Sequence, residues 1–383
     1  MTTDDEAPDP DRFGVSPERG FLPDAAPRSS LDRDAHPRLR RLDELGERLP
    51  SLLERDELGP KVRDLSAPPK DAFDGLSDRE LYHVYRTTGF LANAYVNDPD
   101  ADVETIPAGV AVPLYESTDR LGCTPVLSYD AYVLHNWTRD EPERGLGPPN
   151  VRPIAKFASL RDERWFIAVH VAIESAAGPA IAAIGDAQRG VLDDDTDRVV
   201  RALHTITDAL RDVTAILDRM PERNAPEKYG RAFRPYLNSL THVEYEGVPE
   251  LDGYQSYRGA SGAQSSFVPA LDAALGIDHG DNPLVDHLHE LREDMPPAHR
   301  AFVEAVEDGP SLRDHVDRAD DALRVAYNDC IDQMVTFREH HVDVVETYLV
   351  NQLDDTEGTG GTPYGRFLTS FTDDTRNSKL PTS

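Results

Sequence analysis

Residues 165–184 read WFIAVHVAIESAAGPAIAAI. A helix built from this stretch carries apolar side chains on nearly every side, which is the pattern of an element buried all round rather than of a surface helix with one stripe. Such a helix needs other helices to cover it, and the flanking sequence supplies them. Residues 194–219 (DDTDRVVRALHTITDALRDVTAILDR) open with acidic side chains suited to a helix N-terminus and then place apolar residues at steps of three and four. Helical patterns continue at Ala270–Ile277, Pro283–Glu293, His299–Glu307, Ser311–Arg318 and Asp320–Leu353. Strand alternation is scarce and no internal repeat is present, so the fold class is mainly all-α.

Upstream of this region the texture differs. Short helical patterns such as LDELGERLPSLLERDEL (42–58) and SDRELYHVYRTTGFLANAYV (77–96) are interrupted by proline and glycine breakers. Residues 106–129 (IPAGVAVPLYESTDRLGCTPVLSY) have prolines at both ends of short apolar runs, and are read as extended pieces and turns rather than a long helix. The polar stretch RDEPERGLGPPNVR (139–152) is the best interdomain linker. The expected organisation is a tail or strap over residues 1–30, a small α+β domain over 31–150 and a large all-helical domain over 151–378.

Composition excludes several functions. The 383 residues include 71 Asp and Glu against 40 Lys and Arg, a net charge of −31, so attraction to nucleic-acid phosphate or an anionic membrane is not expected. Only Lys61, Lys70, Lys156, Lys228 and Lys379 are lysines; acids spread along the whole chain and so little lysine read as adaptation to high salt. No stretch approaches 18 uncharged apolar residues, and the N-terminus lacks a signal-peptide pattern, so a soluble, cytoplasmic protein is expected. Cys123 and Cys330 are too few for a disulfide framework or a thiolate metal cage. Chemistry must therefore rest on histidine, carboxylates or a cofactor.

Two histidines stand out. Along 320–353, Tyr327, Cys330, Met334, Phe337, Val345 and Tyr348 form one apolar face, and His341 falls in its single gap while His340 points off it. An inward imidazole needs either a hydrogen-bond partner or a metal. His170 interrupts the all-apolar helix in the same way. The two could bracket one metal or haem, or be unrelated. Zinc is disfavoured, since no HExxH pair occurs and Glu174 is the only carboxylate near His170. His287 and His289, two apart on a helix, face different ways and are read as solvated. The small residues of 259–266 (GASGAQSS) let a backbone pass close to something flat or bulky, with Asp272 on the helix beyond, and the glycine run within 354–364 reads as a mobile loop.

At these residues the sequence resembles the indoleamine 2,3-dioxygenase family, haem enzymes that oxidatively open the indole ring of tryptophan. The resemblance runs from about Ile106 to Phe371 in ordered blocks: IPAGVAVPL, PVLSYDAYVLHNW, FRPYL, GASGAQSS with LDAALGI, MPPAHRAFVEAV, LRDHV, AYNDCIDQMVTFREHHVDVVETYL and GTGGTPYGRFL. It implies a small domain covering the distal side of haem b and a large helical domain that binds it. It also implies L-tryptophan or a related indole and O2 as substrates, with an unidentified electron donor.

Carried over position by position, His341 corresponds to the proximal ligand of haem iron, Arg338 to the arginine near a haem propionate and Asp272 to its carboxylate partner. Ser261, Gly262 and Ala263 correspond to small residues on the distal side. Arg234 corresponds to the arginine that receives the substrate carboxylate, a task suited to a planar bidentate donor, and Thr359 to the loop threonine closing over the amino-acid end. Tyr129, Tyr132, Val133, Phe166 and Tyr229 line the implied indole pocket.

Three positions depart from the vertebrate pattern. His170 stands in place of serine and resembles the distal histidine of tryptophan 2,3-dioxygenases, where it accepts the indole N–H; Tyr229 stands in place of phenylalanine and Tyr132 in place of cysteine. The pocket is thereby more polar. The implied reaction is insertion of both oxygen atoms across the indole C2–C3 bond to give N-formylkynurenine. The alternatives are a haem enzyme of the same superfamily acting on another indole, and a haem protein that binds oxygen without turnover.

Overall fold

The computed structural model describes residues 7–100, 102–280, 283–350 and 364–382. Helices longer than eight residues are labelled in chain order: α1 (Asp78–Val96), α2 (Ala108–Leu121), α3 (Arg161–Leu192), α4 (Thr196–Leu217), α5 (Phe267–Leu275), α6 (Pro283–Arg292), α7 (Pro297–Glu307), α8 (Asp321–Val345) and α9 (Tyr364–Asn377). The fold is mainly all-α. At its centre α3 packs along α4, and α4 along α8.

The reasons are local. On α4 the buried residues Val199, Leu203, Ile206, Leu210, Val213 and Leu217 step by three or four, and Asp195 caps its start by accepting from the Arg198 amide at 2.9 Å. Helix α1 begins with Ser77, whose amide donates to the Glu80 carboxylate at 3.0 Å, so the SDRE stretch makes one half of a capping box. Helix α3 is buried along most of its 32 residues. By length and mean hydropathy α3 could cross a bilayer, although His170 and Glu174 keep it short of 18 uncharged apolar residues in a row; 72% of its most apolar window is buried against the rest of the chain.

Residues 7–31 lie as a strap across α3 and α7. Phe21 packs on His299 and Phe302, with ring centroids 4.6 and 5.8 Å away. Gly20 and Gly178 bring the strap and α3 into backbone contact: a Cβ on Gly178 would stand 2.6 Å from the Gly20 nitrogen.

Three readings of the sequence need correction. Residues 108–121, expected to be extended, form the helix α2 with Pro113 inside it. Pro107 occupies the N-cap and Gly122, at φ +68°, ends the helix. The two prolines and the glycine that look like breakers are therefore a cap, a tolerated interior residue and a stop. Pro113 forgoes one bond to the carbonyl a turn earlier, and burial of Val110, Ala111 and Leu114 compensates.

The segment 151–378 is also not purely helical. Strands β4 (Leu240–Tyr245) and β5 (Tyr254–Tyr257) pair antiparallel, and β4 pairs parallel with β1 (Thr105–Ile106), Thr105 opposite Glu244. These strands are too short and irregular to show alternation. The expected linker at 139–152 is a pinned hairpin: β2 (Thr138–Arg139) pairs with β3 (Val151–Arg152), and Asn150 ties the loop by accepting from the Glu141 amide at 2.8 Å and donating to its carbonyl at 3.0 Å. Helix α9 follows the glycine-rich segment and was not apparent in the apolar spacing. A contiguous apolar core joins residues from the strap to Leu380.

Candidate active site

One cavity opens between α3, α5, α8 and α9, closed on its remaining side by two single turns, Asp130–Leu134 and Tyr229–Phe233. Thirteen of the fourteen site residues expected from sequence line it: Tyr132 and Val133 from the first turn with Tyr129 just before it; Phe166 and His170 from α3; Tyr229 from the second turn with Arg234 just after it; Ser261, Gly262, Ala263 and Asp272 around α5; and Arg338 and His341 from α8. Thr359 and the expected mobile loop, save its last residue, lie outside the described residues. Of the solvated pair, His289 is exposed and His287 half-buried.

His341 faces the cavity between Phe337 and Val345, one turn away on either side, and its ring is parallel to that of Phe337. Burial pushes its imidazole down to about 4, with His170 and Arg338 adding to the shift. It is therefore neutral at physiological pH, the form in which a ring nitrogen ligates a metal. His340 points the other way and meets Asp218 at 2.7 Å.

His170 stands on the opposite side. Its Nδ1 lies 2.9 Å from the Phe166 carbonyl, so Nδ1–H donates to the helix backbone and Nε2 is left with a lone pair. Burial lowers its pKa as well. Phe166 and Tyr129 pack on the ring, at 4.3 and 6.2 Å between centroids.

Arg338 Nη2 donates to both Asp272 oxygens, at 2.6 and 2.7 Å. Burial pushes the Asp272 carboxyl up, but the Arg338 charge and the His279 contact outweigh it and hold the pKa below the ordinary carboxylate value. His279 bridges Asp272 and Asp374, at 3.3 Å to each, and so connects α5 to α9. Arg338 Nε is buried with no hydrogen-bond partner among the described residues. Arg234 is buried in the cavity wall. Among the described lining residues the fixed charges are two arginines against one aspartate, so the cavity reverses the sign of the chain as a whole.

The small-residue segment does two things. At Gly259 a Cβ would collide with the Leu237 carbonyl oxygen, so what passes close there is another piece of backbone. At Gly262 nothing lies within 4 Å of a Cβ, and the chain faces open space. Gln264 anchors the turn, its Oε1 accepting from the Ser261 amide at 3.1 Å and from the Tyr129 amide at 3.0 Å.

Sequence reasoning missed Gln264, His279 and two carboxyls on α3. Glu163 accepts from the Phe157 amide at 2.8 Å and the Ala158 amide at 2.6 Å, with the Tyr132 hydroxyl 3.4 Å away. Glu174 accepts from Tyr129 and Ser265. Burial pushes both up to about 7. The available signal was a glutamate inside an otherwise apolar run, HVAIE.

Comparison with known proteins gives a consistent assignment. A family model described as indoleamine 2,3-dioxygenase matches residues 9–357. The chain is 32% identical to indoleamine 2,3-dioxygenase 1 of Rattus norvegicus over 359 residues, 87% of each chain. It is 29% identical to indoleamine 2,3-dioxygenase 2 of Homo sapiens, over 96% of this chain and 95% of that one. It is also 27% identical to a 6-hydroxytryptophan 2,3-dioxygenase of Fusarium equiseti, over 94% and 90%.

Proposed function

The chain belongs to the indoleamine 2,3-dioxygenase family, and from that premise we propose that it cleaves the indole C2–C3 bond of L-tryptophan, using haem b on His341. Membership makes it a haem dioxygenase; the substrate, the haem type and the residue roles are our reading. The observation that carries it is the His170 ring, whose Nδ1 is committed to Phe166 and whose Nε2 is left to accept an indole N–H.

The residues present fit a haem. His341 offers a neutral, inward imidazole. Arg338 keeps one buried donor, Nε, beyond those that hold Asp272, suited to a propionate. Gly262 leaves open space where a side chain would obstruct a flat ring. Asp272 orients Arg338 as an outer-shell partner.

When bound, haem iron supplies the dioxygen chemistry, and the product is an N-formyl compound such as N-formylkynurenine. The chain supplies orientation and exclusion of water. His170 accepts the indole N–H without removing its proton, and Arg234 takes the substrate carboxylate in a bidentate grip; family resemblance alone assigns the amino-acid end to Thr359. Phe166, Tyr229, Tyr132, Tyr129 and Val133 wall the ring.

A second reading, a different indole, is favoured by the polar groups His170, Tyr132 and Tyr229 in the wall and by the name of the Fusarium relative, which acts on a hydroxylated tryptophan. Our reading extends to a cytoplasmic enzyme in a salt-rich cell, kept ferrous by an unidentified donor, with no nucleic-acid or membrane partner. The acidic, lysine-poor composition and the free Cys123 and Cys330 support it.

The test is an aerobic assay of the reduced, haem-loaded protein with L-tryptophan and labelled dioxygen. Formylkynurenine carrying two labelled atoms is expected. Turnover of another indole only, or incorporation of a single atom, would overturn the assignment.

A further inference from the structure

Glu174 sits on α3 one turn beyond His170 and is fully buried. Its Oε1 accepts from the Tyr129 hydroxyl at 2.8 Å and from the Ser265 hydroxyl at 2.6 Å. Oε2 is equally buried and has no hydrogen-bond partner among the described residues.

Among the described residues, no charged group shifts the Glu174 carboxyl; the Tyr129 phenol and the Ser265 hydroxyl are the side chains that act on it. The Gly20 backbone of the strap passes close to its carbonyl oxygen, and Glu18 of the strap accepts from the neighbouring Ser175 hydroxyl through its backbone carbonyl. Burial favours the neutral acid, and the two hydrogen bonds only partly offset this. With Oε1 saturated by two donors, the acid hydrogen belongs on Oε2.

A hydroxyl has one hydrogen. Tyr129 and Ser265 both line the cavity, and each has committed its hydrogen to Glu174. What remains for a ligand is oxygen lone pairs.

We propose that Glu174 is a positioning residue that acts through Tyr129 and Ser265: by holding both hydroxyl hydrogens, it makes their part of the wall an acceptor of ligand N–H groups and withdraws two O–H donors from the cavity. This rests on the reading of the cavity as the indole site. It assigns the wall a preference for ring N–H and ammonium donors over ligands that present an acceptor there. Ionisation of Glu174 would leave a buried charge with no counter-ion, relieved by water entry or side-chain movement that displaces both hydroxyls.

The test uses the haem-loaded ferric protein, with L-tryptophan affinity read from the Soret shift, in wild type, Glu174→Gln and Glu174→Ala. Glutamine keeps a neutral acceptor at Oε1. It is expected to bind within about threefold of wild type at pH 6 and to lose most of the weakening that wild type shows through about pH 7, any remainder belonging to Glu163 beside Tyr132. Alanine frees both hydroxyls and is expected to bind about tenfold more weakly with unchanged haem content.

Infrared difference spectra give a readout independent of ligand. Wild type at pH 6 should show a carboxylic-acid C=O band that Glu174→Gln lacks and that disappears toward pH 8. A wild-type pH profile retained in Glu174→Gln, wild-type affinity in Glu174→Ala, or absence of the band would each overturn the proposal. If wild type takes no indole at all, the functional reading fails, and the infrared titration still decides the state of Glu174.

Discussion

His170 Nδ1 and the Phe166 carbonyl oxygen are 2.9 Å apart, one helical turn from each other on α3. A helix backbone thus sets the tautomer of a side chain in the cavity wall, and no second side chain is needed to do it. Replacing His170 with alanine should leave haem content unchanged and lower kcat/KM for L-tryptophan by about 1–3 kcal/mol, the cost of leaving one buried N–H without its acceptor. The control is tryptophan methylated at the ring nitrogen. Wild type should disfavour it and His170→Ala should not; an unchanged preference would show that His170 only packs.

His341 is the ring on which haem attachment depends in this reading. His341→Ala is expected to lose stoichiometric haem and the Soret band, while folding, followed by far-ultraviolet circular dichroism, is retained. A variant with normal haem content would remove His341 as the ligand.

The Arg338–Asp272 pair is a half-buried ion pair between α8 and α5. Removing only the carboxylate charge, by Asp272→Asn, leaves the guanidinium uncompensated and should cost about 2 kcal/mol of unfolding free energy in denaturant titrations at pH 7, between the exposed and fully buried cases. The folded pKa of Asp272 lies below its unfolded value, so its contribution is present above the ordinary carboxylate range and is lost as pH falls through the depressed value. The gap between wild type and variant should therefore close in acid.

Glu163 and Glu174 run in the opposite direction. Each is raised from 4.5 to about 7 by burial, so the folded state holds a proton that the unfolded chain releases. Their contribution is full below about pH 4.5 and is lost as pH rises to about 7, on the order of 3 kcal/mol each. A Glu163→Gln, Glu174→Gln double variant should gain stability relative to wild type between pH 5 and 8. Parallel stability curves would contradict both raised values.

Arg234→Ala should erase discrimination between L-tryptophan and indole lacking the carboxylate. A loss on the order of 2–5 kcal/mol in tryptophan transition-state binding is expected for a desolvated contact. Equal losses for both substrates would mean that Arg234 shapes the wall without holding the carboxylate.

The long elements were legible because period and burial agree in them. The unbroken apolar run of α3 and the three-and-four steps of α4 and α8 reflect the same packing that the structure contains. Helix α2 was not legible because Pro107, Pro113 and Gly122 carry the same letters whether they break a helix or bound one. Strand β1 was hidden because two residues have no alternation to read, and its partner β4, irregular between Leu240 and Val243, lies far along the chain. At the site, His341 could be placed by spacing alone. The tautomer of His170 and the donors on Glu174 depend on which turns meet in space, and no local pattern encodes that. Arg234 was reached only through family resemblance; Ser261 and Asp272 stood out in and after the small-residue segment, but their roles came from the resemblance.

The parallel pairing of Thr105 with Glu244 joins segments that are remote in sequence. Closing so long a loop carries an entropic cost. The strand belongs to the first half of the chain, and its partner arrives only after α3 and α4 have been made. The cavity draws its walls from the same two halves. A ribosome-bound N-terminal fragment therefore has no pocket to offer, and the prosthetic group must wait for the finished polypeptide.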